Sequence, residues 1–553
     1  MKTFSIIIND MSLANARDII KKRLETRGLE YADNAEFALN LTLDTNYRHD
    51  TYAILGKDND IEIKADCLSN IFAGAGAFLY NSRFDENGII PSKKRGKTTP
   101  DCPYRWMYLS THFHNFFHAA PTSEIETYLE DMALMGFNGL LLTIPVINLD
   151  RNKKDEMMVH FDRAAIVGKK CTSLGMTIMC RSNTSASFAG IPEHLKAKPL
   201  PDELGRHGNS GNIVCISTPG GLEHLEEDNR FILGQFKERG LKVDYIETWP
   251  YDEGGCGCPE CMPWGANGYL RSAKNALKTA REFFPDCKAV IAAWTFDTPE
   301  QGEWQGLYDS LKEEKWADMI LADSHTDFPR FPLDKGVPGD LPLMAFPEIS
   351  MWGLFPWGAY GAVAYPRRYT GIWRQTEGKL SGELLYSEGI YEDLNKYTVA
   401  NLSKSFEYDV DTTLSDYAGY ELGLLDTDKF VRLIDCIEEN HYRCASKPKA
   451  VNDKQDRSKW VKDPPLLDIA DEALDLAKEI DRALPEWGKK AWRWRIIYIR
   501  ALLDAHRYRG EELAKIPECL DAMHELIDLY HCLKSNVAQD PYHHRVRPEC
   551  PEY

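Results

Sequence analysis

The chain has 553 residues, 43% of them apolar, and its 66 Lys and Arg stand against 85 Asp and Glu for a net charge of −19. That length exceeds a single hydrophobic core and predicts two or three domains. The acidic balance argues against a nucleic-acid partner, because binding a phosphate backbone relies on clustered Lys and Arg.

The first residues, Met1-Lys-Thr-Phe-Ser-Ile-Ile-Ile, carry an apolar run too short for a secretory h-region. No stretch approaches the roughly 18 to 20 apolar residues of a membrane span. The 14 cysteines are too sparse for a disulfide scaffold and read as mostly reduced thiols. The expectation is a cytoplasmic protein without a membrane partner, the alternative being a secreted one whose signal has been trimmed.

In chain order, residues 1–95 read as a small α/β domain. Phe4-Ser-Ile-Ile-Ile is a strand, Ala14 to Arg27 a helix, and Ala38-Leu-Asn-Leu-Thr-Leu alternates as a half-buried strand does. Thr51-Tyr-Ala-Ile-Leu and Asp60-Ile-Glu-Ile-Lys follow as strands, then Cys67 to Tyr80 as a Gly/Ala-rich helix suited to close packing. The basic stretch Pro91 to Pro100 predicts a linker.

Residues 100–405 alternate strand and helix. The predicted strands begin at Trp106, Gly139, Met176, Val243, Ala289, Met319, Leu341 and Glu383, with helices such as Thr122 to Met135, Asp228 to Arg239 and Leu270 to Phe284 between them. Eight such strands over about 290 residues fit a (β/α)8 TIM barrel. The rival is a doubly wound sheet, but no Gly-x-Gly-x-x-Gly follows any strand. Residues 410–553 carry helical periodicity only, at Asp411 to Leu425, Thr427 to Asn440, Leu466 to Leu484, Lys489 to His506 and Ile516 to Leu533. The charged, Pro-containing Ser446 to Pro465 reads as an exposed loop. The fold class is therefore α/β, a barrel between a small α/β domain and a helical domain.

Chemistry concentrates at the predicted fourth strand, Val243-Asp-Tyr-Ile-Glu, which runs into Trp249, Tyr251, Asp252, Glu253, two glycines and Cys256-Gly-Cys258-Pro-Glu-Cys261. Parallel α/β enzymes keep acids and bases at the carboxyl ends of strands. The competing reading is an ordinary loop acid pair. Trp294 follows strand five, Asp323 and His325 strand six, Glu348 and Trp352 strand seven, and Tyr386 and Glu388 strand eight, while Arg105 and His114 bracket strand one. Aromatic faces with carboxylates and a guanidinium on one rim are what a pyranose needs, since sugars stack on aromatic faces and hydrogen-bond to polar groups.

Three thiolates at the spacing of Cys256, Cys258 and Cys261 can reach one tetrahedral zinc, with a fourth ligand supplied in space by Cys180, Cys215 or a His. A glycine-rich turn with buried free thiols is the expectation, and any zinc there would be structural. No phosphate loop, His-Glu-x-x-His or Gly-x-Ser-x-Gly elbow is present, so neither a cofactor nor a catalytic metal is expected. Nothing in the sequence fixes the oligomeric state.

The chain resembles bacterial glycoside hydrolases with a small α/β domain before a barrel, as in families 20, 67 and 84, and is most similar to their poorly characterised bacterial relatives. The likeness rests on Asp50-Thr-Tyr-Ala-Ile, Ile61-Glu-Ile-Lys and Ala73-Gly-Ala-Gly-Ala-Phe-Leu, on Pro103-Tyr-Arg-Trp-Met-Tyr-Leu-Ser, and on Asp252-Glu253. It implies that Arg105 holds sugar hydroxyls, that Glu253 is the general acid and that Asp252 assists the substrate acetamido group, as in a β-N-acetylhexosaminidase. Family 20 places His-x-Gly-Gly before its pair; here Trp249-Pro-Tyr stands there and the glycines follow.

In that mechanism Glu253 protonates the leaving oxygen and needs an apolar, Trp-lined setting that keeps it partly neutral. The alternative is a two-carboxylate hexosidase or uronidase with Glu348 as partner, retaining at a separation of about 5 to 5.5 Å and inverting at about 6.5 to 9.5 Å. A non-catalytic carbohydrate-binding barrel and a metal-dependent isomerase or lyase stand as further readings.

Overall fold

The computed structural model describes all residues except 48–49, 112–115, 147–148, 202–211, 252–253, 298–299, 326, 348–360, 377, 441–466 and 531–553. The N-terminal part contains β1 (Thr3–Ile8), α1 (Ala14–Glu25), β2 (Glu30–Tyr31), β3 (Phe37–Leu43), β4 (Tyr52–Lys57), β5 (Asp60–Ala65), α2 (Leu68–Tyr80), β6 (Arg83–Asp85), β7 (Gly88–Ile90) and β8 (Gly96–Thr98). Six of these strands form one sheet in the order β2-β1-β3-β5-β4-β8. The alternation seen in Phe37–Leu43 is the period of a strand with one face on the core, and Phe37, Leu39 and Leu41 are buried there.

The expected linker is partly a strand, since Gly96–Thr98 pairs antiparallel with β4. Its three residues are short and carry Lys97, features by which sheet edges resist further pairing, and they hide it in a basic, Pro-flanked sequence.

Next come β9 (Tyr104–Leu109), α3 (Phe116–Ala119), α4 (Thr122–Met135), β10 (Gly139–Leu142), α5 (Lys154–Ser173), β11 (Thr177–Ser182), α6 (Gly221–Glu238), β12 (Tyr245–Thr248), α7 (Gly268–Phe283) and β13 (Lys288–Ala293). They are followed by α8 (Glu303–Glu313), β14 (Met319–Asp323), α9 (Arg330–Asp334), β15 (Leu343–Phe346), α10 (Pro366–Arg374), β16 (Gly382–Ser387) and α11 (Asp393–Lys404). The strands β9 to β16 pair in parallel and close into a barrel, β16 returning to β9. Each is an apolar run because both faces are covered, the inner by the barrel core and the outer by helices. The structure starts α6 at Gly221, earlier than the apolar period from Asp228 indicates, since the first turns carry acidic residues.

The last part holds α12 (Val410–Tyr417), α13 (Asp428–Glu439), α14 (Leu467–Ala483), α15 (Glu486–Lys489), α16 (Trp492–Tyr508) and α17 (Pro517–Tyr530). The helix expected from Asp411 to Leu425 widens into a π-turn at Ala418–Leu422 and stops at Gly423, whose φ is +74°. The expected loop Ser446 to Pro465 lies outside the described residues. Among the described residues no helix is long and apolar enough to cross a membrane.

Packing ties these parts together. A Cβ at Gly76 of α2 would lie 1.7 Å from the Leu134 carbonyl of α4, so α2 approaches the barrel helix with no room for any side chain. A buried charge network joins α4 to α1, α11 and α16: Arg493 of α16 bonds Asp393 of α11 at 2.7 Å and Asp131 of α4 at 3.0 Å, and Arg23 of α1 reaches Asp131 at 2.6 Å. Removing one partner from such a network leaves an uncompensated buried charge, which costs about 3–5 kcal/mol.

Candidate active site

Inside the barrel, side chains two apart on a strand share the inner face. Toward the amino end Trp106 of β9 meets Tyr245 of β12 across the interior, with ring centroids 4.8 Å apart. One layer higher Arg181 of β11 bonds Glu247 of β12 at 2.8 Å and lies over the Tyr108 ring at 4.8 Å. The two are register partners on neighbouring strands. Glu247 is fully buried while Arg181 keeps 16% of its side chain exposed, so the guanidinium reaches toward the mouth and the carboxylate beneath it balances its charge.

The carboxyl end is aromatic. Trp249 stacks on Trp294 at 5.3 Å, and both meet the edge of Phe346, at 4.9 and 5.7 Å. His325 stands edge-on to Trp294 at 6.2 Å, Phe346 touches Tyr386 at 6.1 Å, and the Arg181 guanidinium lies 4.7 Å from the Trp249 ring. Trp249, Trp294, Phe346 and Tyr386 thus form a connected aromatic wall contributed by β12, β13, β15 and β16 or the residues just after them.

Polar groups are set into this wall. The Tyr386 hydroxyl donates to Glu388 Oε1 at 2.8 Å, and the Glu388 carbonyl accepts from Tyr530 of α17 at 2.9 Å. Asp323 Oδ1 accepts the His325 backbone N–H at 3.0 Å, and the His325 carbonyl accepts from Arg368 of α10 at 3.0 Å. Four buried side-chain atoms at strand ends, Ser182 Oγ, Asn183 Nδ2, Trp249 Nε1 and Ser324 Oγ, have no hydrogen-bond partner among the described residues. A buried polar group without a partner costs about 1–3 kcal/mol. Of the four, Asn183 and Trp249 stand at the mouth, whereas Ser182, the register partner of a Thr248 that bonds Tyr269 of α7, and Ser324, packed with Tyr369 and Trp373 of α10, lie on the outer face of the barrel.

Beside the wall, Thr295 and Asp297 hold positive φ angles of 53° and 56°. Asp297 Oδ1 accepts the N–H groups of Gly302 and Glu303, both at 3.0 Å, and so fixes the start of α8. Strained backbone of this kind persists only where its surroundings over-determine it, and it clusters at functional sites.

Of the expected site residues, the structure brings Trp249, Trp294, Asp323, His325, Tyr386 and Glu388 to the carboxyl end. Two belong elsewhere. Arg105 is the second residue of β9, at the amino end of the barrel, where it is fully buried and donates to the carbonyls of Gly136 at 2.8 Å and Cys102 at 2.7 Å and to Asp50 at 3.3 Å. It joins the barrel floor to the N-terminal sheet and is turned away from the mouth, so the expectation that it holds sugar hydroxyls is corrected; the guanidinium at the mouth is that of Arg181.

Tyr251 is also turned into the fold. Its hydroxyl donates to Glu303 at 2.8 Å and accepts from the Gly265 N–H at 3.1 Å, which holds the loop instead of lining the mouth. Asp252, Glu253, His114, Glu348 and Trp352 lie outside the described residues.

Sequence reasoning missed Arg181, Glu247 and the orphaned Asn183. The available signal was a charged residue at alternate positions of two otherwise apolar strands, Arg181 and Glu247.

No family model and no curated protein matches the sequence, but solved structures do. A family 89 glycoside hydrolase from Clostridium perfringens, in complex with 2-acetamido-1,2-dideoxynojirmycin, aligns with a TM-score of 0.63 at 12% identity over 94% of this chain and 64% of that one. A family 115 4-O-methyl-α-glucuronidase gives 0.60 at 10% identity, covering 95% and 76%. A family 20 exo β-N-acetylglucosaminidase from Vibrio harveyi gives 0.52 at 10% identity, covering 76% and 73%. The structural neighbours are glycoside hydrolases, and the closed parallel barrel of this chain is a fold they have in common. At such identities the likeness is one of fold, and the chain spans less than two thirds of the Clostridium enzyme.

Proposed function

We infer that the chain is a glycoside hydrolase of β-N-acetylhexosaminidase type, with its sugar site at the carboxyl end of the barrel. The observation that carries this reading is the aromatic wall with orphaned polar atoms at its strand ends. A pyranose offers an apolar C–H face to Trp249 and Trp294 and a ring of hydroxyls able to pair with Asn183 Nδ2 and Trp249 Nε1. The Arg181 guanidinium adds a charged donor beside the Trp249 ring.

In this reading Glu253 donates a proton to the leaving oxygen and Asp252 orients the substrate acetamido group, whose oxygen attacks the anomeric carbon. Both residues are joined covalently to anchored neighbours: Tyr251 is bonded to Glu303, and the Gly254 carbonyl accepts from Ser185 at 3.0 Å. Two fold neighbours support an amino-sugar substrate, one described in complex with an acetamido compound and one named a β-N-acetylglucosaminidase. A glucuronidase among the neighbours keeps the two-carboxylate reading through Glu348 in play.

The test is a screen of aryl glycosides with and without a C2 acetamido group. Hydrolysis confined to acetamido compounds is expected. Turnover of plain hexosides or uronides would move the second carboxylate to Glu348, and sugar binding with no turnover would make the barrel a binding module.

A further inference from the structure

The loop that follows the proposed acid pair ends in a cluster the reaction does not use. Cys256, Cys258 and Cys261 come from that loop, and Cys215 joins them from the segment before α6. All four are buried, and their sulfur atoms lie within 4.8 Å of one another. Cys215 Sγ and Cys258 Sγ are 3.7 Å apart. In a tetrahedron with Zn–S bonds of about 2.3 Å the sulfurs sit about 3.8 Å apart, whereas a disulfide would bring two of them to about 2.05 Å. All eleven described cysteines are free thiols.

We propose that Cys215, Cys256, Cys258 and Cys261 bind one structural zinc ion, which fixes the loop carrying Asp252 and Glu253 to the segment before α6. Four thiolates closing a tetrahedron leave no position for water or substrate, so the ion is structural. An all-sulfur tetrahedral set favours zinc or iron–sulfur chemistry, and sulfurs this close enclose one ion rather than a cluster.

The surroundings are built for such a site. The Cys261 and Met262 N–H groups both turn back to the Cys258 carbonyl, at 3.0 and 3.1 Å, which forms a tight Cys-x-x-Cys knuckle. Cys215 is held in place by its N–H to Leu195 O at 2.8 Å. Gly257 permits the short Cys-x-Cys spacing, since a Cβ there would lie 2.2 Å from the Pro199 carbonyl. Four thiolates around Zn²⁺ carry a net charge of −2, and a cation stands beside them: Arg271 Nη2 reaches Cys261 Sγ at 4.0 Å while bonding Ser217 at 2.8 Å and Glu260 O at 2.9 Å.

Because Cys256 is three residues past Glu253, the ion would hold the acid pair's loop without taking part in bond cleavage. The inference does not depend on which reaction the barrel performs, because metal content is read without any substrate.

The experiment is elemental analysis of full-length protein purified without added metal, followed by X-ray absorption at the zinc edge. About one zinc per chain with four sulfur scatterers at about 2.3 Å is expected. Cys215→Ser should lower the zinc content at least several-fold, whereas Cys436→Ser, at a buried thiol outside the cluster, should leave it unchanged. Should Cys215→Ser fail to fold, the stoichiometry and absorption spectrum of the parent protein decide alone. Iron in place of zinc, oxygen or nitrogen in the first shell, paired disulfides by mass, or no zinc uptake after refolding with zinc present would each overturn the proposal.

Discussion

The two ends of the barrel handle polar groups differently. At the amino end Arg105 donates to two backbone carbonyls and Asp50, and Ser403 donates to Glu383 Oε2, leaving only Glu383 Oε1 of this group without a partner among the described residues. Burial pushes the Glu383 carboxyl well above its ordinary range despite the nearby Arg105, so its proton is retained and no bare charge is buried there. At the carboxyl end Asn183 and Trp249 keep buried polar atoms without partners among the described residues. Hydrogen bonds made at the floor stabilise the fold; those left unmade at the mouth are available to a ligand. TIM barrels separate stability and chemistry between their two faces in this way.

Changes at the two ends should therefore separate activity from stability. The largest effect is expected from Glu253→Gln, which should lower kcat/KM on the preferred aryl glycoside by about 10²- to 10⁴-fold with an unchanged melting temperature. Arg105→Met should do the reverse. Leaving Asp50 and two carbonyls unpaired should cost about 3–5 kcal/mol in urea denaturation, while the folded fraction keeps its kcat/KM.

Glu438 tests how the helical layer supports the mouth. Its carboxylate oxygens accept the N–H groups of Arg367 and Arg368 at the start of α10, at 3.0 and 2.8 Å, and Arg368 in turn holds the His325 carbonyl. Burial raises the Glu438 carboxyl from 4.5 to about 7. The native state then binds more protons than the unfolded chain between those values, so this group's contribution to stability falls as pH rises from 4.5 toward 7 and levels off above. The slope should approach at most about 1.4 kcal/mol per pH unit, and Glu438→Gln should flatten it in denaturation measured across that range.

Smaller effects follow within the wall itself. Trp294→Ala should weaken sugar binding by roughly tenfold, about 1–2 kcal/mol, read as a rise in KM. The smallest contrast pairs one residue from each end. Asn183→Ala should change stability by no more than about 0.5 kcal/mol and lower kcat/KM, whereas Ser403→Ala, which removes the Glu383 partner, should cost about 1–3 kcal/mol and leave kcat/KM unchanged. Equal stability costs at the two positions would erase the distinction between the ends.

Most of the fold was legible because parallel strands buried on both faces are continuous apolar runs, and all eight stand where such runs occur. Trp249, Trp294, His325, Tyr386 and Glu388 were legible for a related reason, since a residue just past a strand in this fold reaches the carboxyl end. Arg105 misled because the resemblance assigned it to the sugar although it stands at the start of β9, the amino end of the barrel; its bonds to Gly136 and Asp50 come from packing. The Arg181–Glu247 pair depends on strand register, and Cys215 joins its cluster only through the way the segment before α6 folds back. The basic stretch that hides β8 shows the converse, an edge strand whose charged composition is the mark of a linker.

The most direct measurement is the crystal structure of the Glu253→Gln protein soaked with an aryl 2-acetamido glycoside. The account predicts a sugar ring against Trp249 and Trp294 at the carboxyl end, with its hydroxyls bonded to Asn183 Nδ2 or Trp249 Nε1. A sugar bound elsewhere, or a carboxyl end that stays empty while the protein binds the ligand in solution, would contradict it.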